Sequence, residues 1–170
     1  NISIDDQISS KVILDAIGAD SRIGQKYMKP GGPFSGPCLP RDNHALVKYC
    51  KDNLTENYLS KGALETNKST IEKLKKQIYE LKELGEKSIS FAGISYKSNT
   101  HSMEESFIIP LMQYSHSIGL NVYYFDKYVN EDEVKLEFAV RVNKLKDIPS
   151  KSNIVFLPYV DNIFNEFLTT

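Results

Sequence analysis

The chain has 170 residues, 41% of them hydrophobic and 25% charged, and its formal net charge at pH 7 is −1. This composition is typical of a globular protein and gives enough chain for one ordinary domain or two small ones. The charge leaves no basic surplus that would indicate nucleic-acid binding, and no apolar run approaches the roughly 20 residues that a membrane span needs.

The first predicted element is a short helix near the N-terminus. Its apolar side chains recur at helical spacing and are Ile8, Val12, Ile13 and Ile17. Gly18 can end this helix. Residues 21–39 are predicted to be a loop, and a second helix is predicted to follow through Ala45 and Tyr49.

A segment dense in glycine and proline, Gly31 to Asp42, delivers Cys38 to the predicted start of the second helix. Glycines let a ligand approach the main chain, whereas prolines stiffen the segment. Pro40 suits the first turn of a helix, and the helix dipole favours a thiolate at its N-terminus. Asp42 follows about one turn later and can lie near the sulfur. The same pattern is also compatible with a plain surface loop and a structural thiol.

The cysteine content bears on compartment and metal chemistry. Cys38 and Cys50 are too few for a disulfide framework, so we expect a protein of the reducing cytoplasm. Cysteines twelve residues apart match no usual zinc-ligand spacing, so no metal site is predicted. Because nothing around Cys50 repeats the surroundings of Cys38, Cys50 is interpreted as a structural thiol.

A long amphipathic helix is predicted next, and Gly85 can stop it. Its apolar seam consists of Leu64, Ile71, Leu74, Ile78 and Leu81, and the polar Asn67 completes it. Such a narrow seam has to be buried, either by packing within the chain or in a dimer. The heptad-like spacing favours the dimer.

After Gly85 the pattern changes to short strands, predicted at residues 88–94, 121–125, 138–142 and 154–157. A helix closed by Gly119 lies between the first two, and strand–helix–strand units form parallel sheets. The predicted fold class is therefore α/β, with a helical central segment at residues 1–85 and a small Rossmann-like parallel-sheet domain at residues 86–170. Tyr96 and Lys97 follow the first strand, where ligands of such sheets bind.

Three blocks of sequence carry a family resemblance. They are Asp20-Ser-Arg-Ile-Gly24, the loop with Phe34, Gly36, Cys38 and Asp42 in register, and Gly93-Ile-Ser-Tyr-Lys97 followed by Thr100 and Glu105-Ser106. In order and spacing they resemble motifs of the UDP-glucose/GDP-mannose dehydrogenase family. The loop resembles that family's Gly-Phe-Gly-Gly-Ser-Cys-x-x-Lys-Asp, and the third block resembles the opening of its nucleotide-sugar domain. The resemblance covers nearly the whole chain.

The resemblance implies NAD-dependent oxidation of the primary alcohol of a UDP- or GDP-sugar to a uronic acid. Cys38 would add to the intermediate aldehyde as a thiohemiacetal, and a second hydride transfer would leave a thioester. Water would then release the acid, with Asp42 activating or orienting that water. The resemblance also implies a homodimer whose core is the long central helix.

The same resemblance assigns substrate contacts. Arg22 corresponds to an arginine that reaches into the neighbouring subunit's site, and Tyr27 and Lys29 correspond to a loop beside the nucleotide sugar. Phe34 and the backbone of Gly36 match the sugar pocket. According to these assignments, the expected substrate site includes residues of the cysteine segment and residues that precede it in the sequence.

Tyr96 and Lys97 are assigned to the nucleotide and its phosphates. The implied cofactor contacts are Cys38 and Arg41, and Arg41 stands where the family has a lysine near the nicotinamide. Arginine keeps the charge of lysine but is not equivalent to it in geometry.

Several positions depart from the family pattern. Ser35 and Pro37 replace a glycine and a serine, and Pro37 hints at an N-acetylhexosamine substrate. Ser102 and Glu104 replace the aspartate and arginine of Asp-x-Arg-Glu-Ser, and a carboxylate at position 104 would repel a dinucleotide pyrophosphate. Because no Gly-x-Gly-x-x-Gly follows a predicted strand, we expect a dehydrogenase fragment that is inactive in isolation.

Two other functions remain open from the sequence. The chain could be a nucleotide-sugar-binding or dimerisation module without catalysis, as Glu104 and the missing glycine-rich motif suggest. It could also be a cysteine hydrolase that uses Cys38 and His44. That function is disfavoured because His44 lies six residues on, well round the helix from the sulfur.

Overall fold

The computed structural model describes residues 9–28, 31–130 and 134–159, apart from the side chain of Pro149. The predicted contact residue Lys29 and the predicted helical residue Ile8 lie outside these ranges. The chain divides into two compact units, residues 1–32 and residues 33–170, which are described separately. The predicted domain boundary after residue 85, which rests on the change in sequence pattern and on the implied function, stays a prediction.

The first unit contains α1 (Ser10–Gly18), which ends at the predicted glycine. A turn follows in which the amides of Ile23 and Gly24 both donate to the carbonyl of Asp20 at 2.9 Å. The side chain of Gln25 folds back and lies 2.8 Å from the position of a Cβ added at Gly18. The absence of a side chain at Gly18 therefore allows this turn to lie close to α1.

The second unit begins with two helices, α2 (Leu39–Asp52) and α3 (Tyr58–Glu83). The side chain of Asn57 caps α3 by accepting the amide of Ser60 at 3.0 Å. Gly85 follows the end of α3 with a φ of +99°, a conformation that favours glycine. Both helices lie where the sequence predicts them, although α3 begins six residues before the predicted seam.

The C-terminal half of the α3 seam packs within the chain. Ile71 and Leu74 contact the main hydrophobic core, and Ile78 is 3% exposed within it. The intrachain alternative therefore accounts for these three positions, because their side chains are already covered by the sheet domain. The dimer stays a prediction, and it has to use other apolar residues.

In the described part of the chain, four parallel strands form one sheet in the order β3-β2-β1-β4. The strands are β1 (Ser88–Ala92), β2 (Asn121–Phe125), β3 (Val140–Arg141) and β4 (Val155–Phe156), and α4 (Ile108–Ser117) connects β1 to β2. A 3-10 helix, Leu145–Ser150, precedes β4. The predicted fold class, helices followed by a small parallel sheet, is confirmed.

Three strands are shorter than predicted. β1 stops at Ala92 because Gly93 adopts a φ of +107° and leaves the extended conformation. β3 and β4 each pair along only two residues, because they lie at the edges of the sheet and have a partner on one side only.

Both faces of the sheet are covered. Ile89 and Phe91 of β1 face the core formed with α3 and α4, whereas Ala92 packs with Val142 and Ile148 in a second cluster. Burial on both faces is typical of parallel sheets, and the other two residues of β1, Ser88 and Ser90, have small side chains. Among the described residues, no helix combines the length and the apolar composition that crossing a membrane requires.

Candidate functional site

Cys38 occupies the N-cap position of α2, as the sequence predicts. Its carbonyl accepts the first helical hydrogen bond from the amide of Asp42 at 2.9 Å, and Pro40 falls in the first turn. The thiol is exposed. An exposed sulfur at the N-terminus of a helix can approach a ligand, and the unpaired amides of the first turn favour negative charge there.

Arg41 lies in the first turn of α2, three residues after Cys38, and pairs with Asp42. Its Nε donates to Oδ1 of Asp42 at 2.8 Å, and this hydrogen bond is the main reason that the pKa of Arg41 is raised. The charges of Asp42, Cys38 and Glu104 raise that pKa further. The exposed guanidinium of Arg41 is thus paired with the carboxylate of Asp42 and feels the negative charge of Glu104.

The cysteine loop, residues 33–38, docks on its neighbours through its backbone. The carbonyl of Phe34 accepts the side-chain amide of Asn67 on α3 at 2.8 Å. The amide of Gly36 donates to the carbonyl of Glu105 at 3.2 Å. The loop is therefore held by both the long helix and the segment that follows β1.

Gly36 also packs directly against Tyr96. Its φ is +88°, and a Cβ at this position would lie 2.5 Å from Cδ2 of the Tyr96 ring. Ser35 adds a hydrogen bond from its hydroxyl to the carbonyl of Tyr96 at 3.3 Å. The ammonium of Lys97 lies 5.3 Å from the centre of the same ring. The structure thus brings four predicted site residues, Phe34, Gly36, Tyr96 and Lys97, into one region.

Asp126 anchors the loop after β1 and is a residue that sequence reasoning missed. It is buried, directly follows β2, and accepts the amides of Ile94 and Ser95 at 2.9 and 3.2 Å. A signal was present in the sequence, because a lone acid directly after a buried parallel strand lies at the carboxyl edge of the sheet, where such folds bind ligands.

Arg22 and Tyr27 belong to the first unit and are described within it. The Nε of Arg22 donates to Oδ1 of Asp20 at 3.0 Å, which lowers the pKa of Asp20 and raises that of Arg22. Tyr27 is 80% exposed, and the ammonium of Lys26 lies 5.7 Å from the centre of its ring. Both predicted contact residues therefore present accessible polar groups.

The residues at the cysteine fit the nicotinamide end of a dinucleotide better than its pyrophosphate. Cys38 and Arg41 are exposed, and a guanidinium is a suitable hydrogen-bond donor. Asp42 and Glu104, however, offset the charge of Arg41, so this cluster has no surplus positive charge for phosphates. Within the described ranges, no group of three His, Cys, Asp or Glu side chains could hold a metal ion.

Comparison with known sequences gives a consistent set of relatives. Residues 2–69 match the model of the UDP-glucose/GDP-mannose dehydrogenase family, central domain. UDP-glucose 6-dehydrogenase TuaD of Bacillus subtilis (strain 168) is 31% identical over 118 residues, which are 67% of this chain and 25% of that protein. GDP-mannose 6-dehydrogenase of Pseudomonas aeruginosa is 22% identical over 173 residues, covering 92% of this chain and 38% of that protein. The chain thus spans about a quarter to two fifths of the curated relatives it matches.

Solved structures resemble the fold over most of the chain. A ternary complex of GDP-mannose dehydrogenase from Pseudomonas aeruginosa has a TM-score of 0.77 at 21% identity, covering 94% of this chain and 39% of that one. A UDP-glucose dehydrogenase from the archaeon Pyrobaculum islandicum has a TM-score of 0.78 at 24% identity, covering 87% of this chain and 35% of that one. At these identities the likeness shows that the order of helices and strands is shared.

Proposed function

Because the chain belongs to the UDP-glucose/GDP-mannose dehydrogenase family, we propose that it is the catalytic and substrate-binding part of a nucleotide-sugar 6-dehydrogenase. In this proposal residues 1–85 carry the cysteine and the dimer contacts, and residues 86–170 bind the nucleotide. The reaction is oxidation of the primary alcohol of a UDP- or GDP-sugar to a carboxylic acid. The cytoplasm is the expected compartment, since both the sugar nucleotide and a reactive thiol belong there.

The observation that carries the proposal is the docking of the cysteine loop on the loop after β1. The amide of Gly36 bonds the carbonyl of Glu105, and the hydroxyl of Ser35 bonds the carbonyl of Tyr96. A nucleophile for the sugar and a cation for the diphosphate, Lys97, are therefore carried by two loops in direct contact. A nucleotide sugar requires this arrangement, because its reacting carbon and its diphosphate are parts of the same molecule.

Cys38 is the proposed nucleophile. A thiolate at a helix N-terminus beside Arg41 can add to the carbonyl carbon of the sugar aldehyde and hold it as a thiohemiacetal. The oxidising power for both hydride removals would come from NAD held against Cys38 and Arg41. The covalent bond prevents the aldehyde from escaping between the two oxidations, and the resulting thioester has to be hydrolysed.

Asp42 is proposed to orient the water that hydrolyses the thioester. Its carboxylate lies one turn into α2 and is held by Nε of Arg41. A fixed carboxylate can accept a hydrogen bond from water and direct the water's lone pair at the thioester carbon.

The remaining predicted residues are proposed to bind the nucleotide sugar. Lys97 supplies a point charge for the diphosphate, and the ring of Tyr96 provides a stacking surface beside it. Phe34 and the backbone of Gly36 form the sugar side. The further proposed contacts are Arg22, Tyr27 and Lys29.

We also propose that the protein is a homodimer. The exposed apolar side chains of α2 and of the start of α3 offer a surface for a second copy. They are Leu46, Tyr49, Tyr58 and Leu59, with exposed fractions between 48% and 90%. Covering them would stabilise the dimer by the hydrophobic effect.

The exchange of Cys38 for serine tests the catalytic assignment. In the full-length protein supplied with NAD and each of the UDP- and GDP-sugars, C38S should reduce steady-state NADH formation by at least about a thousandfold, because the covalent route is lost. C50S is the matched control, since Cys50 lies on the same helix and is half-buried. Unchanged turnover in C38S would contradict the proposal.

A second candidate is a nucleotide-sugar-binding module without catalysis, which the proximity of Glu104 to Arg41 favours. Calorimetry with UDP- and GDP-sugars, with and without NAD, separates the two. The binding module predicts sugar-nucleotide binding that NAD does not change, and measurable turnover would exclude it.

A further inference from the structure

We propose that Asp126 is a positioning residue that holds the nucleotide-binding loop after β1 in its binding geometry. This inference rests on the proposed function, because it assigns the loop carrying Tyr96 and Lys97 to the nucleotide. Asp126 is 2% exposed, so it touches neither solvent nor an approaching substrate to any useful extent. Its role has to be exercised through the groups that it binds.

One carboxylate oxygen of Asp126 holds the loop after β1. Oδ2 accepts the amide of Ile94 at 2.9 Å, the amide of Ser95 at 3.2 Å and the hydroxyl of Ser95 at 3.3 Å. These donors immediately precede Tyr96. The direction in which the main chain enters the proposed nucleotide site is therefore fixed by a single buried oxygen.

The other oxygen holds the loop after β2. Oδ1 accepts the amides of Tyr128 and Val129 at 2.8 and 3.1 Å. The main-chain carbonyl of Asp126 in turn accepts Nη2 of Arg141 at 3.1 Å. One side chain thus ties together two loops at the carboxyl edge of adjacent parallel strands.

The hydrogen bonds of Asp126 extend to the proposed phosphate-binding residue. The hydroxyl of Ser95 also lies 3.0 Å from the carbonyl of Lys97, so its one proton is shared between Asp126 and Lys97, and it lies 3.1 Å from the hydroxyl of Tyr159. The hydroxyl of Ser106 donates to the carbonyl of Ile94 at 2.8 Å. Lys97 has an exposed side chain on a fixed backbone, which lowers the entropic cost of binding a ligand.

The chemistry of this position requires a carboxylate. An ionised carboxylate only accepts hydrogen bonds, and the two oxygens of Asp126 face four backbone amides and one hydroxyl. Asparagine has the same size, but its NH₂ group would face amide donors on one side. Those amides would be left buried without an acceptor, and the loop they belong to would shift to find one.

The experiment compares D126N with the wild type in the full chain by two measurements. Hydrogen exchange should become faster at the amides of Ile94 and Ser95 or of Tyr128 and Val129, while the centre of α4 stays protected. Calorimetry with UDP and with GDP should show binding weakened by about tenfold or more in D126N, since buried amides lose their acceptor.

Ser152→Ala is the matched control. Ser152 is a buried serine at the opposite, amino-terminal end of the sheet, where its hydroxyl bonds the carbonyls of Ser88 and Ile154 at 2.9 and 2.8 Å. It should lower stability in the same domain without weakening nucleotide binding. Equal weakening in S152A and D126N would overturn the positioning role, because both would then act through stability alone.

Each of the other possible outcomes also supports or overturns the positioning role of Asp126. Unchanged exchange and unchanged affinity in D126N would overturn the inference. If the wild type binds neither UDP nor GDP, the proposed function fails, and local exchange in D126N alone decides whether Asp126 positions the loop. If D126N does not fold, Ser95→Ala replaces it: faster exchange confined to residues 95–97 with weaker binding supports the inference, and no change in either overturns it.

Discussion

The two regions that meet at the candidate site are held in different ways. None of the residues of α2, all of which the structure describes, is buried, and its apolar side chains Leu46 and Tyr49 are 48% and 66% exposed. In β1, by contrast, Ile89 and Phe91 are 1% and 0% exposed. The helix that begins at Cys38 therefore lies on the surface, whereas the strand leading to the proposed nucleotide loop runs through the core.

The difference shows what keeps each half of the site in place. Hydrophobic burial fixes β1, and a buried carboxylate fixes the loop that follows it. The cysteine loop depends instead on a few polar contacts and on one close approach, that of Gly36 to Tyr96. The proposed nucleophile, Cys38, is thus positioned by contacts with the loop after β1, and α2 contributes a helix terminus more than a packed core.

The largest expected effect is a loss of stability when a buried side chain of β1 is truncated. Phe91→Ala should lower the free energy of unfolding by about 3–5 kcal/mol, because a fully buried aromatic side chain leaves a cavity. Leu46→Ala is the matched change in α2 and should cost about 0.5 kcal/mol or less, since half of that side chain is already in water. Urea denaturation of both variants checks this, and similar losses would contradict the contrast between the regions.

An intermediate effect is expected at the contact between the two regions. Gly36→Ala should lower stability by about 1–3 kcal/mol, because alanine at a φ of +88° is strained and its methyl group would overlap the Tyr96 ring. It should also reduce turnover by displacing Cys38. The control is Gly62→Ala in α3, where nothing lies within 4 Å of the added Cβ. That exchange should stabilise the helix by about 0.5–1 kcal/mol. A G36A variant as stable as G62A would contradict the close contact between Gly36 and Tyr96.

The smallest effect is expected from surface charge at the cysteine loop. Glu104→Gln removes one of the carboxylates that share Arg41 and should lower the KM for NAD by roughly two- to fivefold at low ionic strength, because exposed charges interact weakly and are screened by salt. Glu65→Gln, an exposed position on α3, is the control. A KM that is the same for both variants at low salt would show that Glu104 does not face the cofactor.

The sequence predicted best the features that local chemistry decides. Pro40 and the glycines before it place the start of α2 at Cys38, and the β-branched and aromatic run at Asn121–Phe125 predicts β2 with its observed bounds. The sequence predicts β1 two residues too long, because the φ of +107° at Gly93 that ends the strand is not visible in the pattern of side chains. Edge strands β3 and β4 were also too long, since their length is set by pairing partners.

Tertiary contacts explain what the sequence could not predict. The spacing of Ile71, Leu74 and Ile78 requires a partner surface but does not identify it, and the structure shows that the partner is this chain's own core. The convergence of five hydrogen bonds on Asp126 joins segments more than thirty residues apart, beyond the range of any periodicity. The negative charge of Glu104, which helps to raise the pKa of Arg41, likewise acts on Arg41 only because the two loops dock.

The 26-residue helix α3 has a mechanical consequence. At about 1.5 Å per residue it is about 39 Å long; its C-terminal half packs on the core through Ile71, Leu74 and Ile78, and Asn67 contacts the cysteine loop. A tilt of about 3° about Ile71 would move Tyr58, about 20 Å away along the helix, by about 1 Å. Small changes in the packing of this half would therefore displace the exposed apolar side chains of Tyr58 and Leu59.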